Sequence, residues 1–134
     1  MGASDEQILA ELADGAAGLL FMSETDAPFA PVRWTWPGEL TPAAVRQLAG
    51  HDEGAPVEVM SVDDFFRVAT AETEWKNAAA LATARRYQAL VRVLHEHLSD
   101  LRVYRIGRIN IPVFIVGHAP SGNWLGLSTR VVQT

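Results

Sequence analysis

Four histidines are the side chains in this sequence best suited to passing a proton or holding a metal ion near neutral pH. His95 and His97 stand two apart in a stretch patterned as a helix. Only residues three or four apart share a helix face, so these two rings diverge rather than converge on a metal. His118, beside Ala119 and Pro120, reads as part of a turn, and His51, followed by Asp52 and Glu53, reads as solvated surface. The absence of cysteine excludes thiol nucleophiles, disulfides, zinc fingers and iron–sulfur clusters. No phosphate-binding loop, dinucleotide fingerprint, nucleophile elbow or HExxH pattern occurs, and Gly107, Gly117, Gly122 and Gly126 are too scattered to cradle a phosphate.

Three places carry features better suited to binding than to catalysis. Glu24 and Asp26 project acid from the polar run 23–28, which is either a plain surface turn or a recognition loop. Trp75 lies between Glu74 and Lys76, outside any apolar stripe. It either docks onto its own domain or serves as an exposed aromatic anchor of the kind enriched in interfaces. The last β-rich run continues through Val131 and Val132 toward Thr134, which would hold that residue at a defined point. The aromatics Phe29, Trp34, Trp36 and Trp124 could stack nucleic-acid bases, but such platforms need basic neighbours and this chain is acidic, so they are assigned to the core. Arg85, Arg86, Arg92, Arg102, Arg105 and Arg108 read as solvated faces.

The elements that must position these residues follow from periodicity and punctuation. Ser4 and Gln7 form a capping box ahead of Ile8, Leu9, Leu12 and Ala16, predicting a first helix that ends near Gly15 or Gly18. Leu19, Leu20 and Phe21 follow as a short buried segment, and 32–36 alternates as a strand until Pro37 and Gly38. Thr41, Pro42 and Gly50 bracket a two-turn helix. A strand is expected at 57–60, then a helix opened by Ser61 and carrying Phe65, Phe66 and Val68. The stretch 78–98 is a long amphipathic helix. The β-rich runs 101–106, 111–116 and 124–132 predict an antiparallel meander. The unbroken apolar run 113–116 predicts a central strand with helices on both faces, and hence a three-layer α/β/α sandwich of the α/β class with a mainly antiparallel sheet.

At 134 residues the chain is expected to be one domain, 1–134, without an internal repeat or linker. Eleven Lys and Arg against sixteen Asp and Glu give a net charge of −5, which argues against direct binding to a phosphate backbone. The first twenty residues contain no Lys or Arg, and the longest apolar stretch, 16–22, is too short to cross a bilayer. A cytoplasmic location without membrane attachment is the expectation.

Several segments together resemble the nuclease A inhibitor family: GLLFMSE at 18–24, Pro28-Phe29, Asp64-Phe65-Phe66, Val103-Tyr104-Arg105, and GLSTRVVQT at 126–134. The likeness spans nearly the whole chain. It implies a fold related to that of pathogenesis-related proteins and a non-catalytic role as a bacterial inhibitor of a ββα-metal, non-specific DNA/RNA endonuclease. It further implies that an acid from the loop, a tryptophan and the terminal threonine meet the nuclease active site, which places these roles on Glu24, Trp75 and Thr134. Thr134 would then lie at or near a Mg²⁺ held by the partner nuclease, with no cofactor belonging to the chain itself. The alternatives are an enzyme-type domain that holds a metal through His51, His118 and an acid, as the related fold implies for some of its members, or a generic protein-interaction domain of the same fold without a nuclease target.

Overall fold

The computed structural model describes residues 4–21, 27–50, 54–73 and 76–132. Helices and antiparallel strands are mixed in the order α1 (Asp5–Ala16), β1 (Leu20–Phe21), β2 (Ala27–Pro28), β3 (Ala30–Trp34), α2 (Pro42–Leu48), β4 (Val57–Met60), α3 (Val62–Phe65), α4 (Arg67–Thr70), α5 (Ala78–His97), β5 (Ser99–Ile106), β6 (Asn110–His118) and β7 (Trp124–Val132). Strands β3 to β7 form one sheet in the order β3-β7-β6-β5-β4, every pair antiparallel, and β1 pairs with β2 apart from it. No helix among the described residues is long and apolar enough to cross a membrane.

Each longer helix begins where a side chain satisfies backbone N–H groups that the helix leaves unpaired. Ser4 and Gln7 form the expected reciprocal box on α1. The Thr41 hydroxyl accepts from Ala44 N at α2, with Pro42 in the first turn. The Asn77 amide oxygen accepts from Ala80 N at α5. Ile8, Leu12 and Ala16 on α1 and Ala84, Tyr87, Leu90 and Leu94 on α5 turn inward at helical spacing. With Val103, Val113, Ile115, Leu125 and Leu127 they form the main core. Alternate residues of the same strands, Tyr104, Ile106, Val116 and Trp124, join Leu40, Ala44 and Val45 in a second cluster on the opposite face. Of the four aromatics read as core, Trp124 is buried, while Trp34 and Trp36 are half-buried against that second cluster and Phe29 against the first. The central strand β6 is buried at Val113, Ile115 and Val116 for this reason.

The structure corrects several local expectations. The segment after Ser61 is two short helices that part at Phe66 (φ −94°, ψ 6°). The break directs both Phe65 and Phe66 into one aromatic cluster, their rings 5.0 Å apart, while Val68 is left 83% exposed. Leu19, just before β1, is buried, but Leu20 is 47% exposed, while Phe21, which follows it in the ladder and so points the other way, packs against the main core. The strand read at 32–36 runs instead over Ala30–Trp34, set by the register of Ala30 to Trp34 against Ser128 to Trp124. His118 is the last residue of β6 rather than a turn residue, and its ring lies 4.9 Å from that of its cross-strand partner Trp124. Arg105 is not solvated: its side chain is only 16% exposed and lies 3.6 Å from the Glu58 carboxylate. Arg85 and Arg86 are exposed but engaged, Arg85 by Glu72 and Arg86 by the Gly15 carbonyl.

Asp5 makes a contact that its place in an acidic N-terminal stretch does not suggest. It is 7% exposed and accepts hydrogen bonds from Ser121 Oγ at 2.6 Å and Asn123 Nδ2 at 2.7 Å, which ties α1 to the β6–β7 turn. The bond from Ser121 is the main cause that holds its carboxyl below the ordinary value, with burial opposing it and Asn123 and Arg33 adding to it. A depressed folded pKa gives stability that is fully present above the unfolded value and is lost as pH falls through the folded value. Asp5→Asn is therefore expected to cost about 2 kcal/mol at pH 7, typical of bonds to a charged group, and to flatten the loss of stability below about pH 4. Urea unfolding of both proteins at pH 7 and pH 3 measures this. Equal acid sensitivity would assign it to another group.

Candidate functional site

The recognition loop expected around Glu24 springs from β1 and returns through β2, with Leu20 opposite Pro28 and Phe21 opposite Ala27. Two anchors fix its ends. The Tyr87 hydroxyl of α5 donates to the Leu20 carbonyl at 2.5 Å, and the Thr129 hydroxyl of β7 donates to the Ala27 carbonyl at 3.4 Å. Phe21 stacks on Phe65, centroids 4.4 Å apart and planes 9° from parallel, and meets Phe66 edge-on at 6.1 Å. The base of the loop is thus held by ring packing and by hydrogen bonds to two different elements. Glu24 itself lies outside the described residues.

The second expected residue, Trp75, also lies outside them, but its flanks are well defined. The Lys76 amide donates to the Thr73 carbonyl at 3.1 Å and the Lys76 ammonium to the Ala71 carbonyl at 2.5 Å, so the chain is bridged on either side of positions 74 and 75. The Glu72 carboxylate accepts from Gln88 and Arg85 of α5. These bonds, Gln88's first, hold it below the ordinary carboxylate value. Lys76 and Phe21 both line a groove of about 390 Å³ whose walls include Phe65, Ala80 and Tyr87 and whose lining also takes in Leu20 and Val68. The described neighbours of Glu24 and Trp75 thus meet at one apolar groove.

Thr134 lies beyond the described residues as well. Its nearest described neighbour, Val132, closes β7 opposite Asn110, while Val131 points into the main core. The same strand reaches the loop base through Thr129 and Ala27.

The sequence matches the family described as nuclease A inhibitor-like protein over residues 6–134, nearly its whole length. The chain belongs to the nuclease A inhibitor-like family. No curated protein matches the sequence.

Elsewhere in the chain, the described histidines do not gather. His95 pairs with Asp63 at 3.2 Å and His97 with Glu11, on different sides of α5. His118 borders a second cavity of about 460 Å³, near Trp36, Glu39, Asp100 and Trp124. His51, its partner in the metal arrangement left open above, lies outside the described residues. Among the described residues no group of three or more His, Cys, Asp or Glu is placed to hold a metal ion. Sequence reasoning missed Leu20 and Val68 in the groove and the Gln88–Glu72 contact. Tyr87 and Leu20 are 67 positions apart, and no local pattern announces such a pairing.

Proposed function

We propose that this chain is a stoichiometric protein inhibitor, not an enzyme, that blocks the active site of a non-specific, metal-dependent DNA/RNA endonuclease of the ββα-metal type. The observation that carries the reading is membership of the nuclease A inhibitor-like family over residues 6–134. Glu24, Trp75 and Thr134 are the residues assigned to the contact. A nuclease active site presents basic side chains arranged for phosphodiester oxygens, and the Glu24 carboxylate imitates one of those oxygens by pairing with them. Trp75 anchors the rim. The Thr134 hydroxyl oxygen approaches the Mg²⁺ that the nuclease holds, so the inhibitor needs no cofactor of its own. The shared groove at the flanks of Glu24 and Trp75 supports a single contact surface. The partner is the nuclease rather than nucleic acid or membrane, and the place of action is the bacterial cytoplasm. The two clusters on opposite sheet faces support reading residues 1–134 as one three-layer α/β/α domain related to the pathogenesis-related-protein fold.

Calorimetric titration of a catalytically silent ββα-metal endonuclease, with and without Mg²⁺, tests the reading. Stoichiometric binding that blocks nucleic-acid cleavage is expected, and no binding to any such nuclease overturns it. Within a positive result, Thr134→Ser keeps the oxygen and is expected to bind about tenfold tighter than Thr134→Val, which keeps the shape and removes the hydroxyl. Equal affinities for the two variants would remove Thr134 from the metal side of the interface.

A further inference from the structure

We infer that Gln88 and Glu72 are positioning residues for the inhibitory tryptophan: a side-chain clamp from α5 that sets where the chain on both sides of position 75 is presented. The inference rests on the assignment of Trp75 to the nuclease contact and adds the device that aims it. Between α4, which ends at Thr70, and α5, which begins at Ala78, the described residues 71–73 and 76–77 belong to no helix or strand. Such a connection has no ladder to fix it, so side chains must do so.

Gln88 is suited to this because its amide carries two hydrogens and both are used. Its Nε2 donates to the Thr70 carbonyl at 2.9 Å and to Glu72 Oε2 at 3.0 Å. The other Glu72 oxygen accepts from Arg85 Nε at 3.2 Å, so both carboxylate oxygens are held by residues one helical turn apart on α5. From the far side of position 75, Lys76 returns two bonds to the same segment, at Thr73 and Ala71. The clamp and the lysine bracket positions 74 and 75 from both directions, and Lys76 lines the same groove as Phe21 at the base of the Glu24 loop.

The ion pair that completes the clamp is exposed, the side chains of Arg85 and Glu72 being 68% and 42% accessible, while Gln88 is half-buried. Exposed ion pairs contribute little to global stability. Their loss therefore leaves the melting temperature nearly unchanged, and its effect falls on the local geometry of the loop. That separates a positioning role from a structural one.

The test is a double-mutant cycle in the full chain, read by inhibition of a ββα-metal endonuclease, together with amide hydrogen exchange of the free protein. Glu72→Ala and Gln88→Ala are each expected to raise the inhibition constant roughly tenfold, within the range of couplings between contacting groups. The same changes on a Trp75→Ala background are expected to add almost nothing. In the free protein, the Lys76 amide is expected to exchange faster in both variants, a readout that needs no nuclease. Glu72→Gln, which keeps one acceptor oxygen, is expected to recover part of the loss. Equal losses in the parent and Trp75→Ala backgrounds would overturn the inference, since Glu72 or Gln88 would then act on the nuclease directly. Unchanged exchange at Lys76 would overturn it too. If Trp75→Ala itself inhibits like the parent, the interface assignment fails, and the clamp fails with it for want of anything to aim. If Trp75→Ala is weakened but both clamp variants are not, the clamp alone is overturned.

Discussion

Glu24→Gln is expected to weaken inhibition by about 2 kcal/mol or more, on the order of thirtyfold in Kd, while leaving the melting temperature of the free protein unchanged. The substitution keeps the size of the side chain and one oxygen but removes the charge. A nuclease site built for phosphodiester oxygens then has basic groups that are desolvated on complex formation without a full counter-charge, and that penalty falls mainly on the dissociation rate. The free protein has little to lose, because the described anchors of the loop base, Tyr87 to Leu20, Thr129 to Ala27 and the Phe21–Phe65 stack, do not involve Glu24. Surface plasmon resonance against the silent nuclease at two salt concentrations measures both rates. A dissociation rate equal to that of the parent would remove Glu24 from the charged centre of the contact.

The largest expected effect on the fold belongs to Gly126. It lies mid-strand in β7, opposite Val116 of β6 and Val32 of β3, where a Cβ would stand 1.7 Å from the Ile115 carbonyl oxygen and 2.9 Å from Val116 Cα. Those neighbours are backbone in the centre of the sheet and cannot swing aside as a side chain can. Gly126→Ala must therefore push β6 and β7 apart or abandon their register, at about 3 kcal/mol or more, which lowers the melting temperature by roughly 10 °C in a domain of this size. Gly54→Ala is the matched control, because a Cβ there meets nothing within 4 Å and is expected to be close to neutral. Thermal denaturation followed by circular dichroism compares the two. Equal melting temperatures would mean that β6 and β7 do not approach this closely.

What the sequence made legible was local. The caps at Ser4 and Thr41, the strand at 57–60 and the three runs of the meander are each specified within a few residues, by hydrogen-bonding side chains and apolar alternation. What it hid was long-range. Nothing in 30–34 says that this strand lies beside β7, and nothing around Asp5 announces Ser121 and Asn123. The break at Phe66 overrides helical spacing because two adjacent phenylalanines must enter one aromatic cluster, which a continuous helix turning 100° per residue does not allow. Gly126 did carry a signal, an isolated glycine in an apolar strand, which marks a close backbone approach. For the candidate site, Glu24, Trp75 and Thr134 came from family likeness rather than from periodicity. The groove at the described flanks of Glu24 and Trp75 depends on contacts such as Tyr87 with Leu20 that only the folded chain creates.

The strand order β3-β7-β6-β5-β4 carries a consequence for the making of the protein. The two edge strands come from the first half of the chain, and the three that join them come from residues 99–132. As the polypeptide emerges from the ribosome, β3 and β4 therefore wait without partners, and α1 waits for the apolar face it must cover. The adjacent hairpins β5–β6 and β6–β7 can form quickly from nearby residues, whereas β3 must close a separation of about ninety residues onto β7. The base of the Glu24 loop is in the same position, since Thr129 reaches Ala27 only once β7 exists. A nascent chain thus cannot close the sheet or the base of the Glu24 loop before β7 has emerged, and both are completed in the same step.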